Sequence, residues 1–322
     1  MLAVLATTFP FFALVLCGWL AAQRGWLPDS AIPGLNGFVL FFALPCLLFR
    51  FGRDTPVLQL LNPALLGVYL AAALGLVFLT LRLTRAPTVT MKDLALGALV
   101  AAFPNTGFMG VPLIVALLGP QAGGVVISTI LADLFVTSSL CLALAQAGPG
   151  LRAERAAFVQ ALKAAASNPL PWAIAAGALV GTLGVSLPGP LNKTVAMLAE
   201  AASPVALFTI GAVLSRSGRA NRAAGRVTPV SHYLPVAAIK LVLHPALVFA
   251  LGSAAQALGA LLTPGQLIAL TLAAALPSAS NVSLLAERYG ADTGRIARII
   301  LASTALAFLS FSGLAALLIP AG

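Results

Sequence analysis

The chain has 322 residues, of which 60% are apolar and only 8% charged, and its formal net charge is +10. Soluble domains carry about 25% charged residues, so this chain lacks the polar surface needed to face water, and the same numbers exclude intrinsic disorder. Its 22 prolines and 29 glycines suit interrupted helices in a bilayer rather than collagen or a barrel.

A membrane-crossing helix needs about 20 mostly apolar residues. In chain order, that length predicts spans at 3–23, 31–49, 60–81, 94–118, 122–146, 169–187, 190–215, 233–262, 266–287 and 296–319. No stretch alternates in polarity as an outer-membrane strand does. The first span reads as a retained helix, because no Lys or Arg precedes it and its apolar run is too long for a secretory signal. Cys17, Cys46 and Cys141 each fall inside an apolar run, with no disulfide framework and no metal-ligand spacing.

Basic residues follow the positive-inside rule. With the N-terminus outside, the inner loops collect Arg24, Arg82, Arg85, Lys92, Arg152, Arg155, Lys163, Arg216, Arg219, Arg222, Arg226, Arg288, Arg295 and Arg298. Only Arg50, Arg53 and Lys193 fall outside, and Lys240 lies within a span. The positive charge is therefore a topology signal, both termini are expected to be extracytoplasmic, and no nucleic acid is needed to explain it. Between the fifth and sixth spans, residues 151–168 set Leu151, Phe158, Val159 and Leu162 against Arg152, Arg155 and Lys163, the pattern of an interfacial helix.

The prolines expose an internal repeat. Pro10 and Pro28 lie 18 residues apart around the first span, and Pro171 and Pro188 lie 17 apart around the sixth; Pro45 and Pro204 follow Pro10 and Pro171 by 35 and 33. Ala43-Leu-Pro-Cys-Leu-Leu-Phe49 resembles Ala202-Ser-Pro-Val-Ala-Leu-Phe208, and Ala102-Phe-Pro104 resembles Ala275-Leu-Pro277. Ser128-Thr-Ile-Leu-Ala132 and Ser303-Thr-Ala-Leu-Ala307 follow those last prolines by 24 and 26 residues. Five matches in order divide the chain into a five-helix unit at 1–146, a cytoplasmic amphipathic linker at 147–168 and a second five-helix unit at 169–322. An odd number of crossings inverts the second unit relative to the first, an arrangement that gives carriers two related packings. The expected fold is an all-α integral membrane protein of ten transmembrane helices in two inverted repeats.

The fourth span contains Phe103-Pro-Asn-Thr-Gly-Phe-Met-Gly-Val-Pro112 and the ninth Leu276-Pro-Ser-Ala-Ser-Asn-Val-Ser283. Proline removes a backbone donor and displaces a carbonyl, so both spans are expected to break. Broken backbone is tolerated in a bilayer only against protein or a water-filled cavity. Each break also creates a half-helix N-terminus that favours an anion. Pro104, Asn105, Thr106, Gly107, Pro277, Ser278, Ser280 and Asn281 are therefore the candidate substrate-binding residues. A pair of packing kinks is the simpler alternative; two matched breaks with an Asn at or near each favour a site.

The stretch 104–113 closely resembles the signature of the auxin efflux carrier family, which includes the plant PIN proteins and bacterial carriers described as malonate transporters. Pro277-Ser-Ala-Ser-Asn-Val, Ala286-Glu-Arg-Tyr-Gly290 and the ten-span layout are similar to that family too. The resemblance implies a fold like bile acid symporters and sodium/proton antiporters. In that fold a scaffold of spans 1, 2, 6 and 7 supports a moving transport domain of spans 3–5 and 8–10, in which the broken helices cross. It further implies an organic-anion substrate near that crossing, Asn105 among its contacts, and a scaffold able to support a homodimer. The long central loop of the plant members is absent.

Charged residues inside a bilayer are functional candidates by default. Asp133 lies midway along the fifth span and reads as a proton or Na⁺ carrier or as a partner of Lys240, with a carboxylate hydrogen-bonded to neighbouring helices as the structural alternative. Lys240 reads as its counter-charge or as an attractor of substrate carboxylate, with snorkelling as the alternative. His244 lies one turn further on the same face and is a candidate proton relay or a hydrogen-bonded structural histidine. Glu200 reads as structural, and Glu287 with Arg288 as a surface or gate pair. Trp19, Trp26 and Trp172 read as interface anchors or packing residues. No cofactor or metal is expected, apart from Na⁺ or H⁺ as a coupling ion. The two histidines, widely spaced carboxylates and lack of phosphate-loop or HExxH motifs argue against an intramembrane enzyme. The leading function is an elevator-type carrier of small organic anions such as malonate-like or auxin-like acids, in a bacterial inner membrane, with direction open. Alternatives are a Na⁺- or H⁺-coupled symporter of another organic acid, or a sensor without flux.

Overall fold

The computed structural model describes residues 2–87, 89–147, 155–156, 159–160, 162–163, 166–223 and 228–319. The chain forms α1 (Leu2–Gln23), α2 (Ala31–Asp54) and α3 (Pro63–Leu83), then α4 (Met91–Ala102) and α5 (Thr106–Leu118), then α6 (Ala122–Gln146). After the linker come α7 (Pro169–Thr182), α8 (Gly189–Ala223), α9 (Val230–Ala257), α10 (Pro264–Ala275), α11 (Val282–Tyr289) and α12 (Thr293–Leu318). Seven of these, α1, α2, α3, α6, α8, α9 and α12, contain a segment long and apolar enough to cross a membrane, and α5, α7 and α10 are shorter apolar helices. The protein is an integral membrane protein built from helices, and no strand is formed among the described residues.

The spans expected from the sequence match these elements closely where the chain is continuous. The spans at 94–118 and 266–287 each divide, at residues 103–105 and 276–281. The sixth span stops at Thr182 rather than 187, and α8 runs on to Ala223. Of the expected interfacial helix, Leu151, Arg152 and Phe158 lie outside the described residues, as does Arg226, while Arg155, Val159, Leu162 and Lys163 are helical.

Local chemistry starts the helices where polar caps meet proline. Asn62 accepts from the amides of Ala64 and Leu65 ahead of Pro63, and Asn168 accepts from Leu170 ahead of Pro169. Thr263 and Gln266 form a reciprocal capping box around Pro264, each device satisfying amides that a helix start leaves free. Proline also widens helices internally. Val39–Ala43, Thr106–Gly110 and Ile239–Leu243 are π-turns, and each ends two residues before a proline (Pro45, Pro112, Pro245). An i→i+5 bond lets the helix continue past a ring that would otherwise collide with the preceding turn. A fourth π-turn, Asp133–Thr137, begins at the buried aspartate of α6.

Two packing groups emerge. α1 lies along α8, and α2 lies along α7 and α8. The approach is close because glycines face backbone: Gly18 opposes the Phe208 carbonyl and Gly211 the Val15 carbonyl, while Gly52, Gly177 and Gly181 bring α2 and α7 together. Small residues permit such contact in membranes. The other group packs α3 against α4 and α9, α4 and α10 against α6, and α12 against α9 and α10. Gly211→Ala places a methyl against the Val15 carbonyl and is expected to cost about 1–3 kcal/mol through overpacking. The check is the apparent melting temperature of purified protein. Gly218→Ala on the same helix, where a Cβ meets open space, is expected to leave it unchanged or raise it.

Candidate functional site

The two breaks meet. Asn105 donates its backbone N–H to the Pro277 carbonyl at 2.8 Å, and Ala279 donates to the Phe103 carbonyl at 3.0 Å. This reciprocal pair makes an antiparallel bridge between Pro104 and Ser278. Each severed helix thereby satisfies backbone groups of the other, as buried irregular backbone must. The Thr106 amide turns back to the Pro104 carbonyl at 2.8 Å. The amides of Asn105, Thr106 and Ala279 are thus used within the crossing and are not offered to a guest, a restriction that proline spacing alone does not reveal.

Further braces come from neighbouring helices. In an unbroken α10 the Ala274 carbonyl would accept from the Ser278 amide, four residues on. Here that amide donates to Ser303 Oγ of α12 at 3.2 Å, and Lys240 Nζ of α9 donates to the Ala274 carbonyl at 2.6 Å. A cation at a helix C-terminus is favoured by the helix dipole, so Lys240 caps the severed end of α10. Gly110 packs with its α-carbon facing the Leu276 side chain, which keeps α5 close to the second break.

Two cavities adjoin the crossing. A small one of about 30 Å³ is lined by Pro104, Asn105, Thr106 and Gly107, a volume on the scale of one water. A larger one of about 260 Å³ lies between α2 and α8 on one side and α5, α11 and α12 on the other, with Ser280, Ser283, Arg216 and Glu287 in its wall. Leu40, Phe108 and Asn281 line both. Asn105 is 4% exposed. Asn281 Oδ1 and Ser278 Oγ are buried without a hydrogen-bond partner among the described residues, and such groups are costly unless something else satisfies them.

The intramembrane charges form a separate cluster beside α10. Asp133 is fully buried and accepts from Tyr69 Oη at 2.7 Å and from Thr137 Oγ1 at 3.1 Å. The Tyr69 ring lies 5.9 Å from the His244 ring, centroid to centroid. His244 Nδ1 and Lys240 Nζ are 3.0 Å apart, and His244 Nε2 has no partner. Asp133 and Lys240 form no direct ion pair; they interact electrostatically across the cluster. Sequence spacing placed Lys240 and His244 on one face, as found, but did not reveal Tyr69, Thr137 or Ser303 as partners.

All eight crossing candidates are thus gathered at or around one point, with Pro277 and Ser278 serving the bridge and Ser280 and Asn281 lining the larger cavity. Glu287 faces that cavity, while Arg288 lies over the Tyr289 ring and is not paired with it. Glu200 is exposed on α8.

Comparison with known proteins finds membrane transport proteins similar over nearly the whole chain. A family model described as "Membrane transport protein" matches residues 3–315. A protein of Rhizobium meliloti (strain 1021) named "Putative malonate transporter" is 28% identical over 320 residues, spanning 98% of this chain and 95% of that protein. "Uncharacterized transporter YfdV" of Escherichia coli (strain K12) is 26% identical over 306 residues, spanning 94% of this chain and 92% of that protein, and its Shigella flexneri counterpart matches equally.

Proposed function

The chain belongs to the membrane transport protein family, the auxin efflux carrier family whose signature its fourth span resembles, and from that premise we propose that this transporter is a secondary carrier of small organic anions working by an elevator movement. In this reading α1, α2, α7 and α8 are the scaffold. The remaining helices travel as the transport domain, and the ten crossings form two inverted five-helix units with both termini outside a bacterial inner membrane. The observation that carries the proposal is the hydrogen-bonded crossing of two severed helices beside a polar cavity. A carrier needs a mid-membrane site between two packing groups, and the crossing lies next to the seam that separates them.

The substrate sits against Asn105 and Asn281, with Thr106, Gly107, Ser278 and Ser280 around it and Pro104 and Pro277 holding the backbone open. A carboxylate suits this setting because amide and hydroxyl donors converge there, and the malonate named for the Rhizobium relative is a compact example. Asn105→Ala is expected to weaken binding of the transported acid by roughly tenfold or more, on the scale of one hydrogen bond to a charged group. Isothermal titration of purified protein and counterflow in liposomes check it; wild-type affinity and flux in the variant would remove the site. Binding without counterflow in the wild type would identify a sensor instead.

The buried Asp133 cluster favours a coupled form of the same function. Import of an anion against a negative interior requires a co-transported cation, whereas export gains about 2.3 kcal/mol per charge per 100 mV. In this reading Asp133 carries a proton or holds Na⁺, and Lys240 and His244 link its charge to the end of α10.

A further inference from the structure

We propose that Arg216 reads the second carboxylate of a dicarboxylate, so that the cavity selects diacids over monoacids; this rests on the carrier reading above. Arg216 and Arg219 sit three residues apart on α8 and both fit the positive-inside pattern, yet the structure treats them differently. Arg219 is pinned to the α1–α2 connection: its guanidinium donates to the Ala22 carbonyl at 2.8 Å and to Ser215 Oγ at 2.8 Å, and pairs with Asp29. Arg216 lines the 260 Å³ cavity instead and enters no salt bridge among the described residues.

Geometry makes this arginine available to a bound guest. Ile210 and Ser217 line the same cavity, and seven residues of helix span about 10 Å. Helical side chains lean toward the N-terminus of their helix, which on α8 leads from Arg216 back toward Ile210 and the crossing. Asn281, whose side-chain amide can donate through Nδ2, lines the opposite wall. A guest with one carboxylate at the crossing therefore meets a guanidinium fork within the same chamber, and that fork matches a carboxylate in two-point fashion. Glu287 is the opposing charge in this wall. It is exposed on α11 and does not pair with Arg216, so the fork is left for the guest.

The test compares malonate with propionate, which has three carbons but a single carboxylate. Binding to purified full-length protein is measured by titration calorimetry and uptake in proteoliposomes. Wild-type protein is expected to prefer malonate. Arg216→Gln is expected to lower malonate affinity by about ten- to a hundredfold, the scale of one charge-assisted contact, and to leave propionate unchanged. Arg216→Lys retains part of the preference. Glu287→Gln, which removes the opposing charge, is expected to raise malonate affinity. Parallel loss of both acids in Arg216→Gln, or no wild-type preference, or weaker malonate binding in Glu287→Gln, overturns the assignment while leaving the carrier reading intact. Failure of wild-type protein to bind either acid, or any other organic anion, overturns both.

Discussion

Lys240→Met is expected to abolish transport and to lower the apparent melting temperature further than Gly211→Ala or Asn105→Ala does. Methionine approximates the length of the lysine stem but brings no donor. The Ala274 carbonyl loses the Nζ contact that caps α10, and His244 Nδ1 loses its neighbour. The Asp133 carboxylate loses the nearby cation that interacts with it across the cluster, and the buried carbonyl left unsatisfied costs about 1–3 kcal/mol. Uncapping α10 also loosens the segment that pairs with Asn105, so substrate binding is expected to fall with stability. The double variant Lys240→Met/Asp133→Asn tests the electrostatic part. With both charges gone, thermal stability is expected to return most of the way, because neutral replacement of a buried pair is often tolerated. Transport is not expected to return. A double variant no more stable than the single one would show that the cap alone accounts for the loss.

The second large effect concerns Asp133 itself. Asp133→Ala deprives the Tyr69 and Thr137 hydroxyls of their acceptor at about 1–3 kcal/mol for each buried group left unsatisfied, and it strands the Lys240 cation as well. Asp133→Asn also leaves Lys240 without its counter-charge, but it retains an acceptor for Tyr69 and offers Thr137 an amide, so it is expected to destabilise the fold less than Asp133→Ala. The asparagine neither gains nor loses a proton. Uptake by Asp133→Asn proteoliposomes is therefore expected to lose its dependence on an imposed pH or Na⁺ gradient, while equilibrium binding of the anion persists. Gradient-dependent uptake in that variant would place coupling elsewhere.

Much of this fold was legible because apolar length and proline position are strong signals in a bilayer. The breaks at Pro104 and Pro277 could be read because two matched prolines, each with an Asn at or near it, interrupt apolar spans, a coincidence that packing kinks explain less well. Three of the four π-turns had a visible cause in Pro45, Pro112 and Pro245. The turn at Asp133 had none, and neither did the hydroxyl partners of that aspartate, because long-range pairing in an Ala- and Leu-rich chain leaves no periodic trace. Ser128 and Ser303 illustrate the boundary. They match in the repeat, yet Ser128 Oγ donates to the Leu60 and Gly124 carbonyls, while Ser303 Oγ receives the Ser278 amide at the second break. Sequence symmetry located both residues, but packing assigned them different tasks. Arg216 and Arg219 were equally indistinguishable as loop charges until the chamber beside α8 separated them.

The bridge between Pro104 and Ser278 has a kinetic corollary. Two backbone hydrogen bonds fasten one half of the sequence to the other, so neither broken helix can slide or tilt without dragging its counterpart. In the proposed carrier, an anion held at that crossing travels with the whole fastened body. Flux is therefore expected to proceed in discrete cycles and to saturate with concentration, with no open-pore current, a distinction that electrical recording on proteoliposomes checks.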